Sequence, residues 1–139
     1  MPTLTLRVIT PDKIALDTQV SSVVIPGADG QIGILPRHAP MIAALDTGLL
    51  KFTADGKKNA LFVSGGFAEV RGDTVRVVTE AGERPDEIDE ARAREAEKRA
   101  RERLDSAKHE KGDPIDMLRA EAALRRALLR LSAREYRGG

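Results

Sequence analysis

The sequence predicts an antiparallel β-sandwich followed by a two-helix antiparallel hairpin. Up to Thr79, short apolar runs alternate with glycine-containing turn signals, which is the pattern of many short strands. From Pro85 onward the chain is charged and alanine-rich, and its apolar residues recur at helical spacing. We therefore expect a β-sandwich domain over residues 1–84 and a helical hairpin domain over residues 85–139.

The first strand shows the β pattern most clearly, because Leu4, Leu6 and Val8 alternate with polar residues in the segment TLTLRVI. Further apolar runs recur at 20–25, 32–35, 41–45, 48–53, 60–64, 67–71 and 74–79. Turn-forming pairs such as Asp29-Gly30 separate them. No interval is long enough for the helix of a parallel crossover, so the strands are expected to pair antiparallel.

The second part of the chain predicts two helices. Small apolar residues recur at helical spacing in the first helix at Ala93, Ala96, Ala100, Leu104 and Ala107. Asp86 is its candidate N-cap, and Lys111-Gly112 is its expected end. Asp113-Pro114 should begin the second helix. The leucines expected to face the alanines are Leu118, Leu124, Leu128 and Leu131. Alanine buries little apolar area, so the hairpin should be easy to open.

Composition limits the chemistry that the chain can perform. Of 139 residues, 41% are hydrophobic but only 3% are aromatic, so the core should be aliphatic. The absence of cysteine excludes disulfides, thiolate metal sites and a cysteine nucleophile. No run has the roughly 18 apolar residues of a membrane span, and no signal peptide is evident.

Charge is concentrated in the second part of the chain. Residues 1–84 contain nine Lys/Arg and nine Asp/Glu, whereas residues 85–139 contain fourteen and thirteen in a shorter stretch. From Arg119 onward there are six Arg and two Glu. This basic end suggests an acidic partner surface, a phosphate-bearing ligand or nucleic acid, and a solvated helix face is the simpler alternative.

Catalytic motifs are not evident, so we expect no catalytic residue and no metal site. His38 and His109 lie far apart and have no carboxylates at ligand spacing, and an interface or structural role is expected for His38. Ser64 lacks the pattern of a nucleophile elbow. Gly27, Gly30 and Gly33 match neither a dinucleotide fingerprint nor a P-loop, and we interpret them as turn glycines.

A stand-alone β-barrel that binds nucleic acid or a small ligand, with a basic helical arm, is the alternative reading. A nucleic-acid module would present surface aromatics for base stacking. The aromatics of this chain are Phe52, Phe62, Phe67 and Tyr136. Phe62 and Phe67 fall in strand-like segments and are expected in the core, so nucleic acid is not an expected partner.

Five segments, in the same order, resemble the epsilon subunit of the bacterial and chloroplast F-type ATP synthase. They are RVITPDK near the start, GQIGILPRHAP at 30–40, ALDTGLL at 44–50, GGFAEV at 65–70 and ERPDEIDEARA at 83–93. The resemblance covers nearly the whole chain. One departure is Arg37, where many members carry glycine before the histidine.

The resemblance implies a non-catalytic, central-stalk rotor subunit that couples proton translocation to ATP synthesis. Such a subunit binds gamma and contacts the c-ring through a sandwich face and the loops around 30–40. The implied interface residues are Gln31, Gly33, Leu35, His38 and Pro40. The chain would associate with the membrane through the complex, on the cytoplasmic face of the bacterial cell membrane or, alternatively, at the thylakoid membrane.

The resemblance further implies that the helical arm inhibits ATP hydrolysis by extending into the alpha/beta hexamer. Its basic residues would suit acidic surfaces there, namely Arg119, Arg125, Arg126 and Arg130. The segment IDEARA also matches a motif of members that bind ATP in the folded-down state. The implied site residues are Glu83, Ile88, Asp89, Arg92 and Ala93, with Arg99 and Arg126 near the phosphates.

ATP is thus a candidate regulatory ligand, and no cofactor is required. Asp89 and Arg92 lie three residues apart, on one helix face. Ala122 stands where a basic residue of the second helix would help to bind phosphate. The alternative is a capping box with an intrahelical ion pair.

Overall fold

The computed structural model describes residues 2–110 and 114–138, which form ten strands and two long helices. The strands are β1 Leu4–Ile9, β2 Ile14–Val20, β3 Ser22–Gly27, β4 Gly30–Ile34, β5 Met41–Ala44, β6 Thr47–Ala54, β7 Lys57–Ser64, β8 Phe67–Arg71, β9 Thr74–Val78 and β10 Gly82–Glu83. A 3-10 turn, Pro85–Glu87, precedes the helices α1 Glu90–Glu110 and α2 Pro114–Glu135. The turn predicted at 111–113 lies outside the described residues.

The strands form two five-stranded sheets that face one another, which confirms the predicted sandwich followed by two helices. The first sheet has the order β2-β1-β9-β8-β5, and the second has the order β10-β7-β6-β3-β4. One pair, β1 with β9, is parallel, against the expectation of purely antiparallel pairing. We expected a parallel pair to need a crossover helix. Here the strands β2 to β8 lie between β1 and β9 in the chain and provide the connection instead.

The core between the sheets is aliphatic, as the composition predicts. Leu4, Leu6 and Val8 all point inward and are fully buried. In β7, four consecutive residues of the run ALFV are buried because both faces of this strand are covered. Leu61 and Val63 face the sandwich core, whereas Phe62 faces outward into a second cluster with Ile88 and Ala133.

Helix α2 covers the outer face of the second sheet, where it contacts β6 and β7. The seam between α1 and α2 is made of alanine on both helices: Ala93, Ala100, Ala120 and Ala127 are buried. The expectation that leucines of α2 face the alanines of α1 is therefore wrong for Leu118, which is 64% exposed, and for Leu128, which is 39% exposed. Alanine on both sides lets the two helix axes approach closely.

Asp89, rather than the predicted Asp86, caps the first helix. The backbone N–H of Arg92 donates to the Asp89 carboxylate at 3.1 Å, which satisfies one of the free donors of the first turn. Asp86 lies one turn earlier, in the 3-10 segment. This cap fixes the start of α1 at Glu90, shortly after the 3-10 turn that follows β10.

Candidate functional site

A cleft of about 580 Å³ lies where the helical arm joins the sandwich. Its walls come from the loop after β1, from β10 and the segment before it, and from both helices. The lining residues include Lys13, Glu83, Asp89, Arg92, Arg99 and Arg130. The cap at Asp89 and the short β10 place these side chains around one opening, although they are distant in sequence.

Six of the seven residues named for the ligand site line this cleft: Glu83, Ile88, Asp89, Arg92, Ala93 and Arg99. Arg126 is not among the lining residues. Ala127 and Arg130 of α2 do line the cleft, and they lie three residues apart on one helix face. Arg130 is thus the second-helix arginine that lines the cleft, although Arg126 lies only one helical turn before it.

The charge of the cleft is mixed, and part of it is already paired. Five carboxylates line it, at Asp12, Glu80, Glu83, Glu87 and Asp89, against four cations, at Lys13, Arg92, Arg99 and Arg130. Lys13 lies 3.3 Å from Glu87, and Arg130 is bound to Glu83. The Arg99 guanidinium is 3.9 Å from Glu95, a long contact. Arg92 and Arg99 are thus the cations best placed to accept an incoming anion.

Glu83 and Arg130 form a bidentate ion pair in the wall of the cleft. Nε and one terminal nitrogen of Arg130 donate to the two carboxylate oxygens of Glu83 at 2.9 and 3.1 Å. The same guanidinium lies 4.6 Å from the centre of the buried Phe62 ring. Both side chains of the pair are about one-third exposed. Bidentate geometry with a cation–π contact makes this pair stronger than an exposed ion pair.

Other polar contacts join the end of the arm to the sandwich and to the 3-10 turn. Arg125 donates to Asp46 at 2.9 Å, and Arg134 donates to the carbonyl oxygen of Pro85 at 3.1 Å. Lys51 lies 5.5 Å from the centre of the Tyr136 ring. Two of the four arginines assigned to the inhibitory arm, Arg125 and Arg130, are therefore bound to the sandwich in this conformation.

The remaining two arginines of that set do not share these contacts. Arg119 is exposed near the start of α2, and Arg126 is half-buried. On α1, the pKa of Arg94 is raised above its ordinary value, first by its hydrogen bond to Glu90 and then by the charge of Glu90. Arg94 therefore keeps its charge and stays paired within its own helix at 2.9 Å.

A second candidate surface is an apolar row on the outer face of the first sheet. The strand register aligns one apolar residue from each strand of this sheet. Ile9 pairs with Ile14 and Val78, Val78 pairs with Phe67, and Phe67 pairs with Ala44. Ile14 is 59% exposed and Phe67 is 40% exposed. We call Ile14, Ile9, Val78, Phe67 and Ala44 the apolar row. Phe67 was expected in the core, and it lies on this surface instead.

The next row on the same face is charged, apart from one end. Arg7 pairs in register with Asp17 and Arg76, Arg76 with Glu69, and Glu69 with Ile42. Arg7 and Asp17 form an ion pair at 3.3 Å. Ile42, at the edge, is 74% exposed and extends the apolar surface. No sequence motif links these residues, because only the strand register brings them together.

The five residues assigned to the rotor interface lie on or after β4, the edge strand of the second sheet. Gln31, Gly33 and Pro40 are exposed, Leu35 is 63% exposed, and His38 is half-buried. The His38 backbone N–H donates to the Leu35 carbonyl at 3.2 Å. His38 Nδ1 lies 2.7 Å from the Ala39 carbonyl oxygen, which can only accept, so this bond requires a proton on Nδ1.

The backbone at Ser64 is held by the buried Thr79. The Ser64 N–H donates to the buried Thr79 hydroxyl, and this hydroxyl donates to the Ala81 carbonyl. Within residues 2–110 and 114–138, no three His, Cys, Asp or Glu side chains are grouped closely enough to hold a metal ion. Neither described helix has a stretch that is apolar enough to cross a membrane.

Two family models cover the chain in succession. The model of the ATP synthase delta/epsilon chain β-sandwich domain matches residues 3–85, and that of the delta/epsilon long α-helix domain matches residues 86–135.

Curated relatives carry the name ATP synthase epsilon chain. The relative from Carboxydothermus hydrogenoformans is 50% identical over 99 residues, which is 71% of this chain and 74% of that protein. The relative from Synechococcus elongatus is 48% identical over 107 residues, or 77% of this chain and 78% of that protein. A chain in the cryo-EM structure of the Euglena gracilis mitochondrial ATP synthase OSCP/F1/c-ring superposes with a TM-score of 0.80 at 26% identity, covering 96% of this chain and 82% of that chain.

Proposed function

The chain belongs to the ATP synthase delta/epsilon chain family, and we propose that it is a central-stalk rotor subunit that binds gamma and contacts the c-ring. In this role it couples proton translocation to ATP synthesis while performing no catalysis itself, and its helical arm restrains ATP hydrolysis. It works at the cytoplasmic face of a bacterial cell membrane, with the thylakoid membrane as the alternative. Its association with the membrane is through the complex.

The gamma assignment is supported by a difference in exposure between the outer faces of the two sheets. Helix α2 covers the second sheet, whereas the first sheet presents the apolar row to solvent. Exposed apolar patches of this kind, bordered by charge, are typical of protein interfaces. The charged row through Arg7, Arg76 and Glu69 borders it and would select the orientation of the partner. Gamma is the partner proposed for this face.

The loop after β4 is the proposed contact with the c-ring. A rotor contact must transmit torque, so its backbone has to be held firmly. Pro36 and Pro40 restrict this loop, and the His38 N–H and Leu35 carbonyl close a turn between them. Leu35 supplies exposed apolar area at the edge of the sheet.

The arm is proposed to leave the sandwich and enter the alpha/beta hexamer. The docked arm is held to the sandwich by a small apolar cluster, by the Glu83–Arg130 pair and by ion pairs that are largely exposed. Exposed pairs contribute at most about 1 kcal/mol each. Undocking is therefore inexpensive, and it frees Arg125 and Arg130 to join Arg119 and Arg126 in binding acidic surfaces.

The cleft at the base of the arm is the proposed site for regulatory ATP. Arg92 and Arg99 would bind the phosphates, while Glu83, Ile88, Asp89 and Ala93 would form the rest of the wall. Both helices and the sandwich line the cleft, so a ligand there would favour the docked arm. The five carboxylates oppose a free triphosphate, which makes a low affinity the expected one.

The main test introduces a negative charge into the apolar row. Phe67→Glu places a charge within this row and should weaken gamma binding at least tenfold, because the carboxylate would have to be desolvated in the complex. The matched control is Leu128→Glu, since Leu128 on the arm is 39% exposed and Phe67 is 40% exposed. Calorimetry with isolated gamma measures both. Equal affinities for wild type and Phe67→Glu would remove gamma from this face.

A nucleic-acid module is the less favoured reading. Phe62 is completely enclosed between the second sheet and the arm, so its ring cannot stack on a base in this conformation. The basic residues of α2 are partly used by carboxylates of the sandwich.

A further inference from the structure

Arg37 adopts a backbone conformation that arginine rarely occupies. Its φ is +69°, in the left-handed region that glycine enters freely and residues with a Cβ enter only at a cost. Asp55 is the other non-glycine residue with positive φ in the described part of the chain. Aspartate at a turn is a common occupant of this region, whereas arginine is not. Arg37 is therefore the clearer case of local strain.

The surrounding loop imposes this conformation through the backbone alone. The Arg37 N–H donates to an Asp73 carboxylate oxygen at 3.3 Å, and the His38 N–H donates to the Leu35 carbonyl. A glycine at position 37 could make the same bonds without the strain. The fold thus does not need the arginine side chain.

The guanidinium itself forms no ion pair or hydrogen bond with any residue that the structure describes. Arg37 is exposed, and Leu35, two residues before it, is 63% exposed. Arg37 therefore presents a free cation beside an exposed leucine, on a backbone in an unfavourable conformation. Such local strain is typical of residues that take part in binding.

We propose that Arg37 is a specificity-determining contact to an acidic protein surface, in which its guanidinium binds a carboxylate while Leu35 packs beside it. This inference rests on the proposed function, which places the loop at the foot of the rotor. It adds a charge requirement for the partner: the ring surface facing this loop carries a carboxylate next to an apolar side chain.

An acidic protein fits the loop better than an anionic lipid surface does. Lipid headgroups are recognised by clusters of about four to eight basic residues. Within residues 31–40, Arg37 is the sole Lys or Arg. Arginine combined with apolar contact area is characteristic of protein interfaces, where its planar fork binds a carboxylate through two hydrogen bonds.

Four variants separate charge from strain. Arg37→Gly and Arg37→Asn remove the charge and relieve the strain, Arg37→Gln would remove the charge and keep the strain, and Arg37→Lys keeps both. Arg37→Gly and Arg37→Asn should raise the melting temperature by about 2–5 °C. Both should weaken binding of the full-length chain to a purified gamma/c-ring assembly about tenfold at 50 mM salt, and less at 300 mM salt. Arg37→Lys should keep the wild-type melting temperature and should bind with an affinity between theirs and that of wild type.

The control for net charge is Arg103→Asn on the exposed face of α1, which should change neither quantity. Unchanged binding by Arg37→Gly and Arg37→Asn would overturn the proposal, and so would an unchanged melting temperature in both. Binding to vesicles of anionic lipid that depends on Arg37 would replace the acidic protein by a lipid and would also overturn it. Failure of the wild type itself to bind the assembly would count against the proposed function, independently of Arg37.

Discussion

Arg130 of α2 and Glu83 of β10 are joined by two hydrogen bonds, of 2.9 and 3.1 Å, directly over the ring of Phe62. Glu83 is the last residue of the sandwich strands, and Arg130 lies in the second helix of the arm. The pair therefore spans the joint that any movement of the arm must open. It also lies in the wall of the cleft, so a ligand there would meet the same two side chains.

Glu83→Gln should loosen the docked arm. The amide keeps the shape of the carboxylate but removes the charge, which costs about 1.5–3 kcal/mol for a hydrogen bond to a charged group. Hydrogen exchange of the α2 amides should become faster, while the core strands β1 and β9 keep their protection. The matched control is Asp46→Asn, which removes the exposed pair with Arg125 and should cost less than about 1 kcal/mol. Equal effects of the two changes would contradict the special role of the Glu83 pair.

The same change should strengthen inhibition of hydrolysis, because it raises the population of undocked arms. In F1 reassembled with gamma, Glu83→Gln should lower ATPase turnover about two- to fivefold relative to wild type, according to the population shift. Deletion of residues 85–139 should have the opposite effect and raise ATPase turnover, since it removes the inhibitory element. Adding Phe62→Thr to the truncated chain replaces the apolar ring that the deletion would expose. A fall in turnover after deletion would refute the inhibitory arm.

ATP should stabilise the docked arm through Arg92. The wild-type melting temperature should rise at millimolar ATP, since a ligand that binds only the folded site stabilises by RT ln(1 + [L]/Kd). Arg92→Ala should abolish the rise because it removes a free cation of the cleft. The control Arg94→Ala lies two residues away on the same helix, outside the lining of this cleft, and should retain the rise. Equal rises in all three proteins would exclude the cleft as the binding site.

Arg130 rather than Arg126 should be the second-helix residue that responds to ATP. Arg126→Ala should leave the ATP-dependent rise in melting temperature unchanged, since Arg126 does not line the cleft. Arg130→Lys keeps the charge but loses the two-pronged hydrogen bond, and it should reduce the rise. A loss of the rise in Arg126→Ala alone would restore the original assignment.

Sequence patterns predicted the elements best where a single face is buried. The alternation in β1 identified both the strand and its inward residues. Strand β2 was missed because Asp17, Thr18 and Gln19 dilute its apolar pattern, and β10 has only two residues. Phe62 and Phe67 occupy similar strand contexts, yet one is buried beneath α2 and the other lies on the open face of the first sheet.

The candidate site likewise has a part that could be predicted from the sequence and a part that could not. Residues of the cleft from 83 to 99 are close in sequence, and the family resemblance implied their grouping. Arg130 and Lys13 come from distant elements, and only the docking of the arm places them in the cleft. The apolar row depends on strand register across five strands, for which no local pattern exists.

The alanine seam between α1 and α2 should not accommodate larger side chains without opening the hairpin. Ala100 is 2% exposed between the helices, so Ala100→Leu inserts three carbon atoms where the axes approach closely. Overpacking of this kind costs about 1–3 kcal/mol, and the hairpin has little other apolar area to offset it. Hydrogen exchange should therefore accelerate across α1 and α2 but not in the sandwich. Ala91→Leu, at an exposed position of the same helix, is the control and should leave exchange unchanged. If Ala100→Leu slowed exchange in the helices, the seam would have room to fill and the close approach of the axes would be disproved.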